Sequence, residues 1–93
     1  MAFSQTATRV LESHTALDAV TLKYIVRGMR VTGTDTAADD EFKVTDTAGT
    51  VVFRGFATGV NFTDSISLDR FPMEGIIFAT NTSDHFTLYV YIE

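Results

Sequence analysis

Ninety-three residues, 45% hydrophobic and 20% charged, describe one globular domain, too short for a second core and too apolar for disorder. A net charge of −5 argues against a general nucleic-acid binder, whose phosphate contacts need a basic surface. The absence of cysteine excludes disulfide staples and thiolate metal sites, so stability has to come from packing or from a partner. No stretch approaches the ~20 apolar residues of a membrane span. The start, "MAFSQTATRV", lacks the basic region and apolar run of a secretory leader, so synthesis in a cytoplasm and no membrane partner are expected.

In chain order, residues 1–19 read as an extended arm with at most one short element, and residues 20–93 as the folded domain. "TALD" at 15–18 loosely fits a capping box, but the β-branched run after it argues against a long helix. Residues 22–32 alternate with Leu22, Tyr24 and Val26 inward, then Met29 and Val31. The parity changes at Gly28, which predicts a bulge or bend there. After the polar loop "GTDTAADD", residues 41–45 place Phe42 and Val44 inward. "DTAG" at 46–49 is turn chemistry, and the return strand places Val51 and Phe53 inward, making a hairpin over 41–56. Residues 60–68 alternate through Val60, Phe62, Ile66 and Leu68, with Asp64 interrupting. "GIIFA" at 75–79 is a short buried run, and "FTLYVYIE" closes the chain with Phe86, Leu88, Val90 and Ile92 on one side. Fifteen threonines and eight phenylalanines suit strands. The class is all-β: a small antiparallel β-sandwich of about seven strands in two packed sheets.

Little in the chain resembles catalytic chemistry. The two histidines, His14 and His85, lack a partnered nucleophile in sequence, and Asp84 beside His85 would point the other way on a strand. His85 reads as a solvated loop residue. There is no glycine-rich phosphate loop and no histidine pair at metal spacing, so no catalytic, cofactor-binding or metal-binding residue is assigned and an enzyme is not expected. Asp35, Asp39, Asp40 and Glu41 offer oxygen ligands to a cation, but without the spacing or central glycine of an EF-hand loop they read first as a solvated turn. The sequons at Asn61 and Asn81 read as chance matches in a threonine-rich chain.

The same parity that defines the core defines an outward set: Lys23, Ile25 and Arg27; Val52, Arg54 and Phe56; Tyr89 and Tyr91. Asp35, Asp39, Asp40, Asp46, Asp64, Asp69 and Asp84 fall instead in loops or at interruptions. Basic and aromatic residues on strand faces, with acids at strand ends, suit an interface, since tyrosine and arginine are enriched where partners bury a surface. Such a face can receive an acidic surface, including the loops of a second copy. Cross-strand packing within one sheet is the competing explanation.

Residues 29–68, "MRVTGTDTAADDEFKVTDTAGTVVFRGFATGVNFTDSISL", together with the closing "TLYVYIE", resemble small tailed-phage virion proteins of the capsid decoration or cement type. The resemblance implies a non-enzymatic structural protein of a bacteriophage virion, bound to the major capsid protein on the outer surface of the head shell. It also implies a homo-oligomer, with a trimer favoured by the three-fold sites of icosahedral shells, and an N-terminal arm. Two other readings stand beside it: a small carbohydrate-binding module, weakened by the lack of tryptophan, and a tail or baseplate component.

Overall fold

The computed structural model describes residues 3–93. It is all-β, with seven strands: β1 (Ser4–Ala7), β2 (Val10–Ser13), β3 (Ala19–Thr34), β4 (Glu41–Thr45), β5 (Val51–Phe56), β6 (Asn61–Asn81) and β7 (Phe86–Ile92). A short 3-10 turn, Thr82–Asp84, joins β6 to β7. All pairings are antiparallel, in the order β1-β2-β7-β3-β6-β4-β5.

The long strands β3 and β6 explain how one hydrogen-bonded sheet makes two layers. Val26 faces Phe71 and Gly28 faces Ser67, so Arg27 alone stands opposite residues 68–70, and Arg70 adopts a left-handed φ of 49°. Both strands turn at this corner. Residues 19–26 and 71–81 continue into β4 and β5, whereas residues 28–34 and 61–67 lie with β7, β2 and β1. Phe42 on β4 and Phe86 on β7 are three ladder steps apart, about 14 Å in a flat sheet, yet their ring centroids are 5.5 Å apart. The expected sandwich is therefore present, and its two sheets are halves of one folded sheet. The bulge expected at Gly28 lies there in both ladders. A Cβ at this position would stand 2.8 Å from the Ile66 carbonyl oxygen, so only glycine lets the strands approach.

Between the layers lie Phe42, Phe78, Phe86, Met29, Met73, Ile76 and Leu88, all essentially inaccessible. The hairpin over 41–56 forms as its turn residues dictate. The Asp46 carboxylate accepts from the amides of Ala48 (3.0 Å) and Thr50 (2.9 Å), and Gly49 supplies the positive φ of 88°.

Several inward assignments are corrected by ladder irregularities. Leu22 is 66% exposed, because the register slips between Val20 and Lys23 and lifts Thr21 and Leu22 out of the ladder. Val51 is exposed and Val52, expected outward, packs against the core. Thr45 pairs with Val51 and Val44 with Phe53, which leaves Val52 as the extra residue of a bulge. Val60 is exposed, since it precedes β6 in the connecting turn. Phe62 and Ile66 are partly buried against the core rather than enclosed by it. The first nineteen residues are not an arm with at most one element. β1 and β2 form a hairpin, β2 lies along β7, and Phe3 and Leu11 are buried; Met1 and Ala2 of the expected arm lie outside the described residues.

Candidate functional site

The corner distributes seven of the eight candidate interface residues over two opposite outer faces, and Val52 turns inward. Lys23, Ile25, Arg54 and Phe56 lie with β4 and β5. There Lys23 meets Glu74 at 3.4 Å, Arg54 meets Glu41 at 2.6 Å, and the Arg54 guanidinium lies 5.2 Å from the Phe56 ring centroid. The two candidate cations of this face are thus matched internally, with Lys43 beside Arg54 as a third basic residue there. Ile25 is half-buried beside Pro72, and Val52 faces inward. Tyr89 and Tyr91 lie on the other layer, with Arg27 in the bulge beside them.

Register defines that second face row by row. Val10, Tyr91, Gly28 and Ser67 are cross-strand neighbours; so are Glu12, Tyr89, Arg30 and Ser65. Arg30 lies 4.9 Å from the Tyr89 ring centroid, in cation–π range. In the first row Gly28 lies between Tyr91 and Ser67. Over it opens a groove of about 500 Å³ bordered by Arg9, Arg27, Arg30, Tyr91, Ser65 and Ser67, with no carboxylate among its lining residues. A neighbouring hollow shares Arg9 and Arg27 and adds Asp69, Arg70 and Glu93. Arg70 holds Glu93 through two nitrogens, at 2.5 and 3.0 Å. That bond, reinforced by the charges of Arg70, Arg27 and Arg9, keeps the Glu93 carboxyl below the ordinary glutamate range.

Four of the seven basic residues of an acidic chain therefore gather at the corner end of one layer. Of these only Arg27 was a sequence candidate. Arg30 had a signal: it alternates with the inward Met29 and Val31 once the Gly28 bulge is allowed for. Arg9 and Arg70 had none, because one lies in the β1–β2 turn and the other at the sheet corner.

The opposite end is acidic. Asp35, Asp39 and Asp40 follow the end of β3, and Asp84 lies in the turn before β7, whose His85 carbonyl accepts from the Thr34 amide at 3.0 Å. His85 is partnered rather than merely solvated: its Nδ1 stands 3.1 Å from the Asp40 carboxylate, which also accepts from the Ala37 amide at 3.0 Å. The Ala37 amide first and His85 second hold the Asp40 carboxyl below its usual range. Among the described residues no three metal-ligating side chains cluster. Of the two sequons, Asn61 is exposed, whereas Asn81 is buried with its amide bonded to both the N–H and the carbonyl of Phe86.

No protein-family model and no curated protein matches the chain. Among solved structures, the family 32 carbohydrate-binding module of C. perfringens NanJ, in complex with galactose, is similar over 88% of this chain and 75% of that one, at 14% identity and a TM-score of 0.48.

Proposed function

We propose that the protein is a non-enzymatic virion structural protein of the capsid decoration type, attached through the outer face of the β7 layer to an assembled head shell. The observation that carries this reading is the collection of Tyr89, Tyr91, Arg27 and Arg30 on one face of a protein with net charge −5. Tyrosine and arginine are the residue types that most often anchor interfaces, and surplus cations suit an acidic partner surface. The resemblance of residues 29–68 to cement proteins supplies the shell as that partner. Attachment to the assembled shell and not to its subunits stabilises the assembly by mass action, and repeated copies multiply a modest contact. The test is capsid melting and co-sedimentation with and without the added protein. A raised melting temperature with co-sedimentation is expected; an unchanged profile with no co-sedimentation rejects the role.

The groove over Gly28 favours a second reading, a carbohydrate-binding module. Its volume of about 500 Å³ lies in the range of small-molecule sites, and it combines an aromatic ring with hydroxyl and guanidinium donors. A glycan array separates the two. Specific sugar binding that is lost on Tyr91→Ala, without shell binding, establishes this second reading.

A further inference from the structure

The two ends of the molecule carry opposite charge, and each end has charged groups left over. Along β3, Gly28 and Thr34 are six residues apart, about 20 Å at ~3.3 Å per residue, in a molecule whose longest extent is 33 Å. At the corner end, Arg70 is engaged by Glu93 and Arg30 by Tyr89. Arg9 and Arg27 have no ion pair or side-chain hydrogen bond among the described residues. At the other end, Asp40 is engaged by His85, while Asp35 and Asp39 are exposed and equally unpaired among the described residues. Their loop is fixed in place. The Thr36 hydroxyl bonds the carbonyls of Gly59 and Val60, and the Asp40 carboxylate bonds the Ala37 amide.

We propose that copies of this chain associate head to tail, with the 35–39 loop of one copy seated in the arginine-bordered groove of the next. A preformed acidic turn offers two carboxylates, and the groove offers two guanidiniums that make no ion pair among the described residues, with no acid in its own lining although Asp69 and Glu93 line the adjoining hollow. Arginine forks match carboxylates in shape as well as charge. Groove and loop are different patches, so the contact is heterologous rather than two-fold. It draws on the face of the shell-binding reading, since Arg27, Arg30 and Tyr91 border the groove, but no shell takes part in it, so its test does not depend on that reading.

The test is analytical ultracentrifugation of the full chain. Wild-type protein is expected to associate with rising concentration at about 0.05 M NaCl, and about tenfold more weakly at about 0.5 M, as screening predicts. Arg9→Glu with Arg27→Glu, and separately Asp35→Lys with Asp39→Lys, are each expected to be monomeric alone and to associate again when mixed, since the mixture holds two matched pairs of groove and loop. Should charge reversal disturb the melting curve, Arg9→Gln with Arg27→Gln and Asp35→Asn with Asp39→Asn test the same contact, and loss of association is again expected. A wild-type protein monomeric throughout at low salt overturns the proposal. So does an Asp35→Lys, Asp39→Lys variant that self-associates like wild type.

Discussion

Phe42 occupies the point where the two layers meet. Its ring touches Phe53 edge-on at 4.9 Å between centroids, Phe86 at 5.5 Å and Phe62 at 6.0 Å. Gly55 makes room for it, since a Cβ there would stand 2.7 Å from the Phe42 ring. Phe42→Ala should therefore lower unfolding free energy in urea by about 3–5 kcal/mol, the usual cost of an emptied aromatic site. A loss below about 1 kcal/mol would mean that the cluster closes over the gap. Asp40 acts through its ionised carboxylate, which the Ala37 amide first and His85 second favour. Its folded pKa lies below the ordinary value of 3.8, so its contribution to stability is present above that value and is lost as pH falls through the folded one. Asp40→Asn should lower the melting temperature at neutral pH, and by progressively less at acid pH below 3.8. An equal loss at both would assign the effect to hydrogen bonding rather than ionisation.

The β1–β2 hairpin shows what sequence patterning could and could not carry at the scale of an element. The extra residues beside β4 and β7 lie in their partner strands β5, β6 and β3, so strict alternation identified Phe42, Val44, Phe86, Leu88 and Val90 as core, and "DTAG" identified the turn. The pattern misled where an extra residue shifts the phase: Leu22 in β3, Val51 and Val52 in β5. β1 had no pattern to detect, because its four residues are all polar or small and all exposed. The same limit governs the candidate site. Tyr89 and Tyr91 were legible from local parity, but which arginines join them depends on strand order, a long-range property. The hairpin is nonetheless structural. Deleting residues 1–13 removes Phe3 and Leu11 from the core and strips one neighbour from β7. The two side chains alone predict a loss of about 3–6 kcal/mol, measurable by urea unfolding. A truncated chain with unchanged stability would show that β7 closes the core without them.

At the scale of the whole molecule, folding one sheet at a corner separates surfaces that the linear chain interleaves. Lys23 and Arg54 go to one outer face and are matched there by Glu74 and Glu41. Tyr89, Tyr91, Arg27 and Arg30 go to the other, where positive charge is left over. This separation makes the proposed shell attachment testable without unfolding the protein. Leu88 and Val90 hold β7 in the core, and the tyrosines that alternate with them face outward. Tyr89→Ala with Tyr91→Ala should cost the fold only the cross-strand contacts, about 0.2–1 kcal/mol each. On a shell, the same pair should weaken attachment by about 2 kcal/mol, roughly thirtyfold per copy. Neighbouring copies would amplify that loss, because each depends on few contacts. The expected result is a double variant with a near-native melting curve that no longer protects capsids from heat or co-sediments with them. If the double variant binds as wild type does, attachment belongs to the opposite face, where Leu22 and Phe56 are exposed, and Leu22→Ser with Phe56→Ser should then abolish it.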